Sequence, residues 1–267
     1  LDANRDGIQD NLDSLDLWWQ EGMSSFLQLL ESDILVGNEA NLEYQNLLHG
    51  KMWENFPPAD FANDWYAAMQ NYFQLSNMPF NIIHGEMKGE RWRMLVLCSA
   101  LLGDGYFSYG TNHIEWYSEY DLISKLGEPV NNAESPHELV WEQTINGPGE
   151  ESMKIVSDLL PAGEYIVSYE YSLIKRGNGL ICEARSEEFG GVFPYSQQIH
   201  GRWLEGFVHQ KVKLTSEGRI VWHSRMPAVI SAMQIWKVQK GPWVRKYKGG
   251  EVSVYPNEQI GDITLYQ

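Results

Sequence analysis

The stretch Gly50-Lys51-Met52-Trp53-Glu54-Asn55-Phe56-Pro57 reads as a short strand, Lys51 to Phe56, that delivers one carboxylate into a loop closed by aromatics and Pro57-Pro58. The same pattern recurs on either side of it. After it, Phe61, Trp65, Met69, Tyr72 and Phe73 fall at helical spacing, and Phe80-Asn81-Ile82-Ile83-His84 reads as the next strand. A helix from Arg91 to Leu102 follows, ended by the turn Gly103-Asp104-Gly105, and then a strand Tyr106-Phe107-Ser108-Tyr109. Before it, Leu15, Trp18, Trp19, Met23, Phe26, Leu27 and Leu30 recur at helical spacing. That helix leads into Ile34-Leu35-Val36-Gly37-Asn38, which reads as a buried strand.

Four strand units with short connections fit half of a (β/α)8 TIM barrel or part of an open doubly wound sheet. The barrel is favoured because the strands end in polar residues, namely Asn38, Glu54, His84-Gly85-Glu86 and Tyr109, where a barrel places its chemistry. No GxGxxG or GxxxxGK[ST] follows any strand, which removes the main reason to expect a nucleotide fold.

From residue 131 to 240 helical periodicity disappears. Alternating segments, Glu164 to Ile174, Leu180 to Ala184, Val208 to Leu214 and Ile230 to Val238, are separated by Gly/Asn/Pro turns. This is the pattern of an all-β sandwich of jelly-roll type. Residues 241–267 read as a short terminal β segment: Trp243 to Tyr247, a turn at Gly249-Gly250, Val252 to Tyr255, and Ile263-Thr264-Leu265. The chain is thus expected to be α/β over residues 1–130 and all-β over 131–240 and 241–267.

The 267 residues carry a net charge of −16, which disfavours nucleic acid or an anionic membrane as partner. Neutral sugars or cations suit that charge better. Eleven Trp and fourteen Tyr supply rings that suit flat, hydroxyl-bearing ligands as well as cores. The two cysteines, Cys98 and Cys182, support neither a disulfide framework nor a zinc site. No run is long and apolar enough for membrane insertion, and none of these residues reads as a signal peptide, so localisation is expected to rest on other features.

The opening segment, residues 2–13, places oxygen side chains at loop positions 1, 3, 5, 9 and 12 through Asp2, Asn4, Asp6, Asp10 and Asp13. Gly7 supplies the turn and Ile8 the backbone carbonyl, which is the donor set calcium requires. With Asp rather than Glu in the last position, the loop is closer to thrombospondin-type or dockerin-type calcium loops than to an EF-hand. A metal-free turn that caps the next helix is the alternative. Structural calcium would suit an extracellular or periplasmic setting.

Glu54, beside Trp53 and Phe56, is a candidate proton donor, because apolar neighbours raise a carboxyl group towards the range such a donor needs. Glycoside hydrolysis requires a second carboxylate as nucleophile or base, and Asp104 is a candidate, although a plain turn residue is the more ordinary reading. Asn38, Trp53, His84, Tyr109, Trp116 and Glu119 are candidate substrate-binding residues. Of these, His84 is equally a satisfied core histidine, and the cluster around Trp116, Tyr117 and Glu119 equally packs the barrel top. Gly-x-Ser-x-Gly, HExxH and CxxC are all missing from the sequence, so other hydrolytic or redox chemistries find less support.

Several of these motifs together resemble a bacterial glycoside-hydrolase-like TIM-barrel family, often labelled hypothetical glycosyl hydrolase. They are the acidic loop, Asp33-Ile34-Leu35-Val36-Gly37-Asn38, Leu48-His49-Gly50-Lys51-Met52-Trp53-Glu54-Asn55-Phe56, Asn81-Ile82-Ile83-His84-Gly85, the run from Ser99 to Tyr109, and Trp116-Tyr117-Ser118-Glu119-Tyr120-Asp121. The tail from Trp243 to Pro256 resembles the family's closing β segment. The resemblance implies that the partner acid is an Asp ending an earlier strand, upstream of the acidic loop, so that this chain holds the C-terminal half of the barrel. It also implies that the β-sandwich is inserted between Leu126-Gly127-Glu128-Pro129 and Gly241-Pro242-Trp243. Sandwiches attached to such enzymes are often carbohydrate-binding modules, for which Trp141, Trp203, Trp222 and Trp236 are platform candidates or ordinary core. The expected function is cleavage of a poly- or oligosaccharide by carboxylate acid/base catalysis. The alternative is a non-enzymatic carbohydrate-binding or surface protein that uses the sandwich.

Overall fold

The computed structural model describes residue 5 and residues 7–30, 33–38, 42–57, 61–75, 78–86, 88–110, 116–145, 148–149, 154–173, 182–186, 205–224 and 228–267. The first helix, α1 (Leu12–Leu29), is started by Asn11, whose extended backbone and side-chain oxygen accept the chain at a cap; Asn11 Oδ1 takes the Ser14 N–H at 2.7 Å. Strands β1 (Val36–Asn38), β2 (Gly50–Trp53), β3 (Ile82–Gly85) and β4 (Tyr106–Tyr109) then form a parallel sheet in the order β1-β2-β3-β4. A 3-10 segment, Leu42–Leu47, joins β1 to β2, while α2 (Phe61–Gln74) and α3 (Glu90–Leu101) make the next two crossovers. A short helix, α4 (Tyr120–Leu126), follows β4.

Register determines which residues share a face. Asn38 pairs with Met52, Met52 with Ile82, and Ile82 with Tyr106, so these four form one row across the sheet. The next row, Trp53, Ile83 and Phe107, packs into the core built on α2 and α3 with Trp65, Met69, Tyr72, Leu95 and Val96. Because alternate residues of a strand face opposite ways, the row of Asn38 to Tyr106 lies on the side away from those helices. Asn38 and Tyr106 are exposed there.

Asn81 ties the layers together at the start of β3. Its Oδ1 accepts from the Lys51 N–H at 3.1 Å, and its Nδ2 donates to Leu75 O at 2.6 Å. Trp65 Nε1 donates to Ser99 Oγ at 2.9 Å, and that hydroxyl donates onward to Leu95 O, so a buried indole and a buried serine in facing helices are both satisfied.

Residues 126–134 run into the β-rich part and meet the strand by which the chain leaves it. Val130 N–H donates to Lys246 O at 2.8 Å, and Glu134 and Val244 exchange a pair of backbone hydrogen bonds. Between them lie β5 (Glu138–Thr144), β6 (Pro148–Gly149), β7 (Lys154–Val156), β8 (Gly163–Leu173), β9 (Cys182–Ser186), β10 (Glu205–Leu214), β11 (Ile220–Ser224) and β12 (Ala228–Lys237). They form two antiparallel sheets, β10-β8-β12-β5 and β7-β11-β9. Tyr165, Val167 and Tyr169 of β8 alternate into a core shared with Ile155, Val212, Trp222, Ile230 and Ile235, contributed by both sheets. The intervening Ile166 points the other way and joins the core of α2 and α3, so the larger sheet is covered on both faces.

The chain closes with β13 (Trp243–Tyr247), β14 (Gly250–Tyr255) and β15 (Ile260–Leu265), an antiparallel sheet laid over α3. Contact is close at Gly261, where a Cβ would sit 2.5 Å from Met94 O. Residues Leu95 to Ala100 of α3 are consecutively buried because strands lie on one side of the helix and this sheet on the other.

The expected strands and helices are found to within a few residues, but the first strand, expected to be buried, is not: β1 is an edge of the described sheet, with Val36 37% exposed, and α1 before it also keeps much of its apolar stripe open. Leu27 is buried, whereas Trp19 is 65% exposed and Phe26 53% exposed. Among the described residues α1 rests mainly on the short segment Leu42–Leu47, too little surface to cover its whole apolar stripe. Cys98 is buried in α3, as its apolar setting implied. Trp222 belongs to the inter-sheet core, Trp141 packs partly against it, and Trp203 falls outside the described residues.

Candidate active site

Glu54 directly follows β2, whose last residue Trp53 pairs with Ile83, while the next residue of β3, His84, pairs with Ser108. The chain holds to the end of β3 after Glu54: Phe56 N–H donates to His84 O at 2.9 Å. Asn55 adopts a left-handed backbone at φ 53°, and the Phe56–Pro57 peptide is cis. Glu54 is half-buried, beside buried Trp53 and Phe56. Trp53 itself faces the helices, in edge contact with Tyr72 at 5.4 Å, and so is spent on the core rather than on the open face of the sheet.

His84 Nδ1 and Ser108 Oγ are 3.0 Å apart, a hydrogen bond that fixes the imidazole through one nitrogen. His84 and Ser108 therefore lie level on adjacent strands, two residues beyond the row of Asn38, and Glu54 opens the turn that leaves the C-terminal end of the neighbouring strand β2. Ser108 was not among the residues expected from sequence. A hydroxyl inside the aromatic run Tyr106-Phe107-Ser108-Tyr109 gives no signal of its own, and only the pairing with His84 brings it forward.

Tyr109 is buried, with its hydroxyl donating to Gly89 O at 3.0 Å and accepting from Lys88 N–H at 2.9 Å. It fastens the start of α3 to the end of β4. The nearby aromatics divide by role. Tyr117 and Tyr120 pack edge-on with Tyr109 and Phe107, whereas Trp116 is 75% exposed against Tyr120. Glu119 is buried and ion-paired with Arg93, at 2.5 Å to Nη2 and 3.1 Å to Nε, while Arg93 also lies 4.4 Å from the Tyr117 ring. Burial acts to raise the Glu119 carboxyl, but the Arg93 hydrogen bonds and charge outweigh it and hold the group below its usual range. A carboxylate committed in this way positions Arg93 and the aromatics rather than a free ligand.

Asp104 lies at the other end of the sheet. It precedes β4, four residues before Ser108, so it sits about 13 Å back along the strand direction at ~3.3 Å per residue. Carboxylate pairs that cleave glycosidic bonds are separated by about 5–10 Å. Asp104 is instead ion-paired with Arg245 at 2.6 Å. The catalytic partnership of Glu54 and Asp104 expected from sequence is therefore replaced by a structural role for Asp104.

Of the acidic loop, Asp2, Asn4 and Asp6 lie outside the described residues, as does the Asp13 side chain. Gly7 has φ 87°, the left-handed turn expected at that position, and Ile8 is exposed. Asn11 beside it caps α1, so the second half of the loop does perform the capping role. Among the described residues no group of three or more His, Cys, Asp or Glu side chains gathers as a metal site.

The sequence profile described as hypothetical glycosyl hydrolase family 15 matches residues 2–144. No curated protein matches the sequence significantly. Among solved structures, the chain is similar to a carbohydrate binding module of Cellvibrio mixtus lichenase 5A in complex with cellotriose. Identity is 13% and the TM-score 0.25, over 39% of this chain and 92% of the module. It is also similar to a Paenibacillus sp. cycloisomaltooligosaccharide glucanotransferase complexed with cycloisomaltoheptaose. There identity is 9% and the TM-score 0.24, over 73% of this chain and 38% of the other.

Proposed function

This chain belongs to hypothetical glycosyl hydrolase family 15, and from that premise we propose that it acts on a poly- or oligosaccharide as a glycoside hydrolase, with Glu54 as general acid or acid/base. The observation that carries the reading is the placement of Glu54 directly after the C-terminal end of β2, with the hydrogen-bonded pair His84 and Ser108 on the adjacent parallel strands β3 and β4. The strand order β1-β2-β3-β4, without reversal, supports taking the sheet as half of a (β/α)8 barrel. The face that carries Asn38 and Tyr106 is then its inner face.

In this reading Glu54 gives its proton to the glycosidic oxygen as the bond to the anomeric carbon lengthens, and a second carboxylate serves as nucleophile or base. His84, steadied by Ser108, offers its other nitrogen to a sugar hydroxyl. Exposed Trp116 offers a ring face for stacking. The adjacency of residues 126–134 to β13 supports reading the two-sheet part as an insertion into the barrel-like unit. The acidic loop, with its left-handed Gly7, supports a structural calcium ion held by residues 2–13 and an extracytoplasmic setting.

The test is Glu54→Gln in the natural protein, assayed on a panel of neutral poly- and oligosaccharides. The wild type is expected to cleave at least one of them, and the variant to lose about 10²–10⁴-fold in kcat/KM with its fold intact. Full activity in the variant would remove Glu54 from the reaction. Saturable binding by the wild type without any cleavage would establish the carbohydrate-binding alternative.

A further inference from the structure

A second site lies away from Glu54. A cleft of about 350 Å³ opens between the outer face of the β10-β8-β12-β5 sheet, α2, the turn before β4 and β13. Its volume is that of a small-ligand pocket. Its walls alternate aromatic surface, from Tyr66, Phe73 and Trp236, with short neutral polar side chains such as Ser135, Ser168 and Gln70.

Three residues that line the cleft carry a buried ring nitrogen with no hydrogen-bond partner: His137 Nε2, His209 Nε2 and Trp243 Nε1. Leaving such a group unpaired costs about 1–3 kcal/mol. All three belong to side chains that bound the cleft, so unmet polar capacity is gathered around this one cavity. His137 Nδ1 accepts from the Gln239 N–H at 3.3 Å, so in the neutral ring Nε2 carries hydrogen and donates. The Trp243 indole can only donate. His209 is fixed through Nδ1 by Ser168 Oγ at 2.9 Å, and its Nε2 donates or accepts according to tautomer.

The charges at the cleft are already spent. Arg245 directs its guanidinium to Asp104 at 2.6 Å, to Asn131 O at 3.0 Å and to Leu101 and Gly103 carbonyls. Burial keeps both histidines neutral, with His209 pushed down to about 4 and His137 likewise, aided there by Lys211. Among the described residues that line the cleft, the one cationic side chain, Arg245, is thus already paired.

We propose that this cleft is a non-catalytic binding site for a neutral mono- or disaccharide unit, which lays a ring on the aromatic wall and sets its hydroxyls against His137, His209 and Trp243. The site is at the Asp104 end of the parallel sheet, opposite the Glu54 end, so it binds glycan independently of cleavage.

The test titrates the wild-type protein, Glu54→Gln, Trp236→Leu and Ala133→Phe with neutral mono- and disaccharides by calorimetry, with inorganic phosphate and galacturonate as anionic controls. Trp236→Leu removes a ring from the wall, and Ala133→Phe fills the cleft without touching the three nitrogens. Wild type and Glu54→Gln are expected to bind at least one neutral sugar saturably, with the two cleft variants weakened about tenfold or more. If Trp236→Leu fails to fold, Ala133→Phe carries the same comparison. The idea is overturned if the wild type binds no neutral sugar, as when water alone occupies the cleft, or if the anions bind as well. Loss of binding in Glu54→Gln but not in the cleft variants also overturns it and leaves the catalytic reading standing. Cleavage that survives Glu54→Gln while binding fails in the cleft variants does the reverse.

Discussion

Arg245 Nη2 donates to Asp104 Oδ1 at 2.6 Å, which joins the closing sheet to the turn that introduces the fourth parallel strand. The two partners differ in burial: the arginine side chain is 5% exposed and the aspartate 60%. Arg245 also serves carbonyls of Leu101, Gly103 and Asn131, so its removal strands several acceptors at once. Arg245→Ala is expected to lower stability by about 1–3 kcal/mol, the cost of leaving buried carbonyls without their donor, since the exposed Asp104 carboxylate is taken up by water. Asp104→Asn keeps an oxygen at the same place and is expected to cost about 1 kcal/mol. Urea unfolding of the two variants measures the difference, and equal losses would show that the ion pair, not the carbonyl network, dominates.

Tyr72 performs a similar task deeper in the core. Its hydroxyl donates to Ala100 O at 2.7 Å and accepts from the Gly105 N–H at 2.6 Å, so the end of α3 and the start of β4 are fixed by one atom. Burial, ahead of all other causes, pushes this phenol far above its ordinary range, so it stays protonated and able to donate. Tyr72→Phe leaves that carbonyl and N–H without the partner, and a loss of about 1–3 kcal/mol is expected in thermal or urea unfolding. Gly105→Ala should cost at least as much, because a Cβ there would lie 2.5 Å from Asn81 O and 2.6 Å from the tyrosine oxygen.

How far sequence alone reaches is clear from particular elements. Strand β4 falls on Tyr106–Tyr109 as read, and α3 begins one residue before the predicted start, because Gly103-Asp104-Gly105 and an unbroken apolar run leave little choice. Strand β11, Ile220–Ser224, was missed. It is a three-residue apolar run between polar turns, and its strand character comes from pairing with β7 and β9 rather than from any local period. The run Ile34-Leu35-Val36-Gly37-Asn38 reads correctly as a strand and wrongly as a buried one, since a short apolar run reports strand character but not whether the strand lies at a sheet's edge. At the candidate site, the strand-end positions of Glu54 and His84 were legible. Ser108 required the register, and the separation of Glu54 from Asp104 required knowing which end of a strand each one occupies. The cleft was illegible, because its walls come from residues as far apart as Tyr66 and Arg245.

Calcium is tested by stability rather than by activity. If residues 2–13 hold the ion in the folded protein, chelation is expected to lower Tm, and restoring calcium to raise it with ligand concentration by mass action. Asp6→Ala should abolish the calcium response while leaving the Asn11 cap of α1 in place. An unchanged Tm in chelator would leave the loop with its capping role alone.

The acid limb of stability is set by two kinds of group that act in the same direction. His209 has a folded value of about 4 against an ordinary 6.5, because burial penalises the imidazolium; Ser168 holds its Nδ1, and His137 is lowered to about 4 by burial and by Lys211, itself paired with Glu164 at 2.9 Å. Above pH 6.5 both histidines are neutral whether the chain is folded or not, so they add no pH dependence there. As pH falls from 6.5 towards 4 the unfolded chain takes up protons that the folded chain refuses, and stability declines across that window before levelling below it. Glu119 adds a second loss at lower pH. Its folded value is depressed, so its stabilisation is present above the ordinary carboxylate range and disappears as pH falls through the folded value. His209→Gln should flatten the first decline, and Glu119→Gln should remove the second while lowering stability at neutral pH, because Arg93 keeps its burial and loses its counter-charge. Thermal melts from pH 7.5 to 3.5 separate the two, and a His209→Gln variant that retains the full decline between pH 6.5 and 4 would place its origin in other groups.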